Sequence, residues 1–122
     1  MFTYMQCANK VSYRRYWLNR LLVQQRSLMK GVVVDLGGKR KRNPYFFQPP
    51  EAEAVLWLYL NIDLNSRPDV VADVMHAPIS GGSADIVICT EVLEHLPDPQ
   101  ACVEEAFRIL RPSGVFIGSA PF

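Results

Sequence analysis

The sequence predicts an α/β protein built on an open, mostly parallel sheet, and two observations lead to this prediction. Short apolar runs occupy residues 32–34 and 86–89; such runs, lacking polar alternation, are typical of strands buried on both faces. Helical or loop segments separate the runs, as expected when strands alternate with crossovers. With 122 residues, the chain is long enough for one domain with a real core.

An N-terminal amphipathic helix is predicted over residues 11–29. Its apolar positions follow helical spacing and Gly31 is placed to end it; these positions are Trp17, Leu18, Leu21 and Leu22, extended by Tyr13 and Leu28. We therefore divide the chain into a basic amphipathic helix (1–30) and an α/β domain (31–122). The favoured interpretation is that the stripe packs on the domain, and the alternative is that the helix contacts lipid or RNA phosphates.

The middle of the chain is predicted to contain a long loop over residues 39–50 and a short helix after Pro50. A second strand follows at about residues 58–63. Only six residues then precede Val70 and Val71, too few for a parallel crossover. The third strand is therefore expected to be short, differently oriented, or not a direct neighbour of the second.

The last third contains the clearest elements. After the strand at 85–89, Asp98 is a good N-cap and Pro99 a good first residue of a helix. Residues 115–118 then form the final strand. The helix ends before Pro112 and Gly114, and its predicted apolar face consists of Val103, Ala106, Phe107 and Leu110.

Charge is distributed very unevenly along the chain. Residues 1–50 carry ten basic side chains and one acidic one, whereas residues 51–122 carry three basic and eleven acidic ones. This asymmetry suggests an anionic partner for one part, or neutralisation of one part by the other. The composition excludes disordered, collagen-like and coiled-coil classes.

Cysteine usage and hydropathy predict a cytoplasmic protein. Cys7, Cys89 and Cys102 lack metal-knuckle spacing, and a reduced compartment is the default for such a chain. No apolar stretch approaches the roughly 20 residues that span a bilayer, and no long apolar signal-peptide region begins the chain.

Polar residues and glycines follow successive predicted strands. In an open α/β sheet, the ligand crevice lies beyond the carboxyl ends of the strands. Carboxylates at successive strand ends therefore predict a binding site at this edge; the residues concerned are Asp35 with Gly37 and Gly38, then Asp63, then Asp73, then Thr90 with Glu91.

The run from Ala84 to Pro99, followed by Glu105, Arg108, Leu110, Pro112 and Gly114, resembles the class I S-adenosylmethionine-dependent methyltransferases, and most closely their type 11 domain. The resemblance extends from about residue 31 to residue 122. It implies a Rossmann-like fold, S-adenosylmethionine as cofactor, and methyl transfer to oxygen or nitrogen of an acceptor. The implied cofactor residues are Asp35, Gly37 and Gly38 near the methionine part, Asp63 at the ribose, Asp73 and Val74 near the adenine, and Thr90 near the sulfonium. Leu64 and Glu91 are also expected in the cofactor site.

Two departures from the family pattern bear on function. The family places glycines two, four and six residues after the acidic residue, but Lys39 and Lys41 stand at the second and third of these places. The family sheet also has seven strands, whereas five are predicted here. We therefore expect a sheet incomplete at its C-terminal side, whose strand at 115–119 is covered by a partner, such as a second copy, or by further chain.

Glu91, Glu94 and His95 suggest an additional site. If this segment is helical, the three side chains share one face and could hold a divalent cation such as Mg²⁺, similar to the Glu-x-x-Glu-His motif of ubiquinone-pathway and small-RNA methyltransferases. We favour the simpler interpretation that Glu94 and His95 order the turn. A general-base role for His95 ranks lower.

Several alternatives stay open at the level of sequence. The favoured interpretation of the basic loop is a solvated surface segment, and the alternative is that it holds phosphates or stacks on bases or sugars; the loop comprises Lys39, Arg40, Lys41 and Arg42, with Tyr45, Phe46 and Phe47 nearby. A small-molecule, saccharide or phosphate-bearing acceptor is favoured over nucleic acid. A cofactor-binding remnant or interaction module is the first rival function. A nicotinamide dinucleotide enzyme is the second, although its glycine motif is poorly matched.

Overall fold

The computed structural model describes residues 11–40 and 43–120. Its five-stranded sheet has the order β3-β2-β1-β4-β5, and every neighbouring pair is parallel. The strands are β1 (Val32–Leu36), β2 (Leu56–Asn61), β3 (Val70–Val71), β4 (Ala84–Thr90) and β5 (Leu110–Ser119), and the helices are α1 (Tyr13–Gln25) and α2 (Pro99–Ile109). The predicted fold class is confirmed.

Two apolar cores lie on opposite faces of the sheet, because successive side chains of a strand alternate between faces. In β1, Val34 and Leu36 join the core beneath α2, whereas Val33 joins the core that contains Leu18 and Leu22 of α1. The helix therefore packs on the domain, as favoured from the sequence.

The buried face of α1 differs from the predicted stripe. Tyr16, Leu18, Asn19 and Leu22 are buried. The amide of Asn19 donates to the Tyr45 carbonyl and its oxygen accepts from the Phe47 N–H, so a polar residue anchors the buried face. The prediction was wrong for four of the six stripe residues, since Tyr13, Trp17, Leu21 and Leu28 are exposed.

The third strand is short, as predicted, but it pairs parallel with β2 as its direct neighbour. The connection is a 3-10 turn at Leu64–Ser66 rather than an α-helix. Asp69 holds the start of β3 beside β2, because its carboxylate accepts a hydrogen bond from the Tyr59 N–H and forms an ion pair with Arg40. A two-residue strand needs only this brief connection, so the usual crossover length does not apply.

The last strand begins earlier than predicted. Leu110 pairs with Ala84, and regular pairing resumes at Val115 opposite Ile86, so the intervening residues form a bulge. Ser113 in this bulge has φ +69°. On α2, Cys102, Ala106 and Ile109 are buried, but Phe107 is 63% exposed, which contradicts its predicted place on the apolar face.

Hydrogen bonds of Glu105 and Arg108 join α2 to the loop that follows β3. Arg108 donates to both Glu105 carboxylate oxygens and to the carbonyls of Ala77 and Ile79, while Glu105 accepts the Ala77 N–H. Hydrogen bonds from Arg108, followed by the bond from Ala77, lower the pKa of Glu105.

Because the folded-state pKa of Glu105 is lowered, its charged form stabilises the protein above the unfolded-state pKa of about 4.3, and this contribution disappears as pH falls through the lower folded value. We expect Glu105→Gln to cost about 1 kcal/mol at pH 7, and this cost should shrink as pH falls through the folded-state pKa. Urea unfolding across pH 3–7 measures the difference. Glu104→Gln, which changes an exposed neighbour, is the matched control and should follow the parent curve.

Cys89 and Cys102 face each other across the core at 3.8 Å between sulfur atoms, and both are fully buried. The hydrogen bond with Cys102, together with burial, raises the pKa of the Cys89 thiol. Cys7 lies outside the described residues.

These contacts predict two unreactive thiols, because thiolate and access are both needed for reaction. In a Cys7→Ser variant, Ellman's reagent should label no thiol of the folded protein and two after denaturation. Rapid labelling of the folded variant would show that this core opens readily.

Candidate functional site

Two adjoining cavities lie at the carboxyl edge of the sheet, where parallel strands bring their ends together. The larger cavity, about 520 Å³, extends from the ends of β2 and β3 to the segment after β4. The smaller, about 340 Å³, lies between the turn after β1 and the end of β4. Gly37, Lys39 and Glu91 line both, so the two form one continuous cleft.

The turn after β1 is held by close packing and by Asn61. Gly37 has φ +79°, and a Cβ there would lie 2.4 Å from a methyl carbon of Val92. A Cβ on Gly38 would lie 2.2 Å from the carboxyl carbon of Asp35. The Asn61 amide donates to both glycine carbonyls at 3.1 Å. Only glycine fits at Gly37, because a side chain would meet both backbone strain and a clash.

Asn61 was missed by the sequence analysis, although a signal existed. It lies at the end of an apolar strand, next in space to the predicted glycine turn, and it lines the larger cavity. A buried amide at such a position needs partners. The glycine carbonyls supply them.

Asp63 and Asp73 occupy equivalent local structures. Each caps a short 3-10 turn, and its carboxylate accepts the N–H two residues ahead. Asp73 and Val74 line the larger cavity. Asp63 and Leu64 lie exposed at the end of β2 and line neither of the two cavities.

The remaining predicted cofactor residues also divide into two groups. Gly37, Gly38, Thr90 and Glu91 line the smaller cavity. Asp35 is 3% exposed beneath Gly38 and lines neither cavity. Its position supports the turn from below.

Glu91 connects α1 to the cleft. It has φ +58°, its carboxylate forms ion pairs with Arg14 and Arg15, and its N–H donates to the Ser119 hydroxyl at 3.0 Å. The Arg15 guanidinium also lies 3.7 Å from the centre of the Phe46 ring. These contacts place a basic helix directly beside the smaller cavity.

The helical arrangement considered for Glu91, Glu94 and His95 is not found. Glu91 precedes a 3-10 turn at Leu93–His95, and its carboxylate faces α1. Glu94 and His95 approach each other at 3.8 Å, but within residues 11–40 and 43–120 no three metal-ligating side chains cluster. His95 lines the larger cavity, whereas Thr90 lines the smaller one.

In the described part of the basic loop, Arg40 and Lys39 have different roles. Arg40 donates to the Asp69 carboxylate and the Arg67 carbonyl, so its charge is used in holding β3. Lys39 lines both cavities and is the loop cation at the cleft. Lys41 and Arg42 lie outside the described residues. Among the helices that the structure describes, none combines the length and hydropathy needed to cross a bilayer.

A parallel sheet of this order, with a glycine turn after β1 and a cleft across the strand ends, is the Rossmann-like class I methyltransferase fold. A family model described as "Methyltransferase domain" matches residues 57–118. The chain belongs to this methyltransferase domain family of type 11, which decides against the nicotinamide dinucleotide alternative.

Curated relatives match over short segments. An S-adenosylmethionine-dependent methyltransferase of Mycolicibacterium smegmatis is 48% identical over 44 residues, covering 36% of this chain and 17% of the relative. A ubiquinone biosynthesis O-methyltransferase of Escherichia fergusonii is 34% identical over 68 residues, covering 56% of this chain and 28% of the relative. These matches thus span less than a third of either relative.

Solved structures support the fold. The methyltransferase in a Haloferax volcanii complex with a methyltransferase activator superposes with a TM-score of 0.66 at 24% identity, covering 84% of this chain and 51% of that chain. At this identity the comparison establishes the architecture alone.

The glycine turn provides a matched pair of substitutions. Gly37 and Gly82 both have positive φ, but a Cβ on Gly82 would meet nothing within 4 Å. We expect Gly82→Ala to cost about 1 kcal/mol from backbone strain, and Gly37→Ala to cost about 1–3 kcal/mol more from the clash with Val92. Urea unfolding measures both. Equal costs would mean that Val92 relaxes without penalty.

Proposed function

We propose that this chain is the cofactor-binding part of an S-adenosylmethionine-dependent methyltransferase acting on oxygen or nitrogen of an acceptor. The observation that carries the proposal is the continuous cleft formed where the 520 Å³ and 340 Å³ cavities meet at Gly37, Lys39 and Glu91. Its size suits an extended ligand with an adenosyl part and an amino-acid part. Family membership supports the same assignment.

The residues present fit this cofactor. In the proposed arrangement, Asp73, Val74 and Asn61 contact the adenosyl part in the larger cavity, and Asp63 with Leu64 contacts the ribose from the rim. Gly37, Gly38 and Thr90 contact the methionine part, since glycine lets a ligand approach the backbone closely. Lys39 lines this region and offers a positive charge to a carboxylate. Asp35 supports the turn as a positioning residue.

When bound, S-adenosylmethionine would supply an electrophilic methyl group for displacement by an oxygen or nitrogen of the acceptor. This displacement mainly requires alignment and exclusion of water. Val92, Leu96 and Pro97 give the larger cavity an apolar wall. The Arg14 and Arg15 ion pairs fix Glu91 at the junction of the two cavities.

Titration calorimetry with S-adenosylhomocysteine tests the proposal. We expect binding at micromolar strength and no response to NAD. No binding at millimolar ligand would contradict the cofactor assignment and would favour the interaction-module alternative.

Asp73→Ala and Asp98→Ala form a matched pair for the same titration. Each aspartate caps a helical turn by accepting a backbone N–H, so each substitution should cost about 1 kcal/mol of stability. Only Asp73 lines the cleft. We expect Asp73→Ala to weaken S-adenosylhomocysteine binding at least tenfold and Asp98→Ala to leave it unchanged; equal affinities would remove Asp73 from the site.

A further inference from the structure

A third cavity, about 700 Å³, forms a groove between the exposed side of α1 and the end of β5. Tyr13, Trp17 and Leu21 line it from successive turns of the helix, and Gly118, Ser119 and Ala120 line it from the strand. These three helix side chains are 69%, 45% and 56% exposed, respectively. The groove therefore presents a continuous apolar wall to solvent.

This groove adjoins the cofactor cleft through two residues. Arg14 lines the groove and forms an ion pair with Glu91. Ser119 also lines it and accepts the Glu91 N–H. Since Glu91 lines both cavities of the cleft, one end of the groove reaches the junction where methyl transfer is proposed to take place.

The side chains that line the groove favour an uncharged, apolar ligand. Among the described residues that line the groove, Arg14 alone carries a charge at neutral pH, and that charge is already paired with Glu91. A phosphate or carboxylate on the ligand would have to compete for this pair. An uncharged apolar body gains by removing Trp17, Tyr13 and Leu21 from water. The volume lies within the range of small-molecule sites.

We infer that the groove binds the apolar body of the methyl acceptor and directs its polar end towards Glu91. The inference rests on the proposed function and specifies its substrate class: an amphipathic molecule with an aliphatic or aromatic body and a hydroxyl or amine head. It differs from the saccharide or phosphate-bearing acceptor expected from the basic loop. Leu21 and Trp17 are the specificity-determining residues, whereas Arg14 holds the end of the groove against the cleft.

Alkyl esters of 4-hydroxybenzoate, from ethyl to hexyl, probe the groove with one head group and a growing apolar body. Calorimetric titration of the full chain saturated with S-adenosylhomocysteine should show Kd falling about fourfold per methylene. Leu21→Asp should weaken hexyl ester binding at least tenfold, and Kd should then change little with the length of the ester chain. Leu28→Asp, which changes a similarly exposed leucine outside the groove, should leave the series unchanged.

Each alternative has a distinct outcome. A Kd of the parent chain that does not change with ester length would overturn the inference, and so would equal effects of Leu21→Asp and Leu28→Asp. A dimer in size-exclusion chromatography that Leu21→Asp dissociates would assign the groove to contact between copies and would also overturn it. If the free chain binds the esters with the expected Leu21 dependence but does not bind S-adenosylhomocysteine, the proposed function fails while the apolar-ligand assignment is supported.

Discussion

The ion pairs of Glu91 with Arg14 and Arg15 join the parts of this molecule that matter for function. Glu91 follows β4 in a left-handed backbone conformation, which turns its side chain towards α1 and its N–H towards Ser119 of β5. Glu91 thus connects the N-terminal helix, β4 and the last strand at the junction of the two cleft cavities, and its partners Arg14 and Ser119 line the adjoining groove. The opposite charges of the two halves of the sequence meet here, so part of the asymmetry is neutralised within the chain.

The cofactor cleft depends equally on the neighbouring positions of β1 and β2. Leu36 pairs with Leu60, which brings Asn61 level with the glycine turn and lets its amide bond both glycine carbonyls. Asp35 packs beneath the turn. Lys39 replaces a glycine of the family pattern, and its side chain lines both cavities. The departure from the family motif therefore adds a cation to the cleft while the turn itself is formed by Gly37 and Gly38.

Elements with strong local signals could be predicted from the sequence. The apolar run of β4 and the Asp98–Pro99 start of α2 need only neighbouring residues to specify them, and both occur as expected. The exposure of Phe107 and of four of the six residues in the predicted N-terminal stripe could not be predicted, because apolar spacing does not state which side of a helix the domain covers. The arrangement of Glu91, Glu94 and His95 also depends on a distant partner, since two arginines on α1 hold Glu91.

The sequence by itself determined the α/β class, the alternation of elements, the family and most residues at the strand ends, because these follow from local hydropathy, helix caps and a short motif. The tertiary structure decided which of those residues face a cavity. It placed Asp35 beneath the turn, brought Asn61 onto the glycine carbonyls, and opened an apolar groove between α1 and β5. These outcomes arise from contacts between residues far apart in the chain, whose positions are fixed only when the strands assemble side by side.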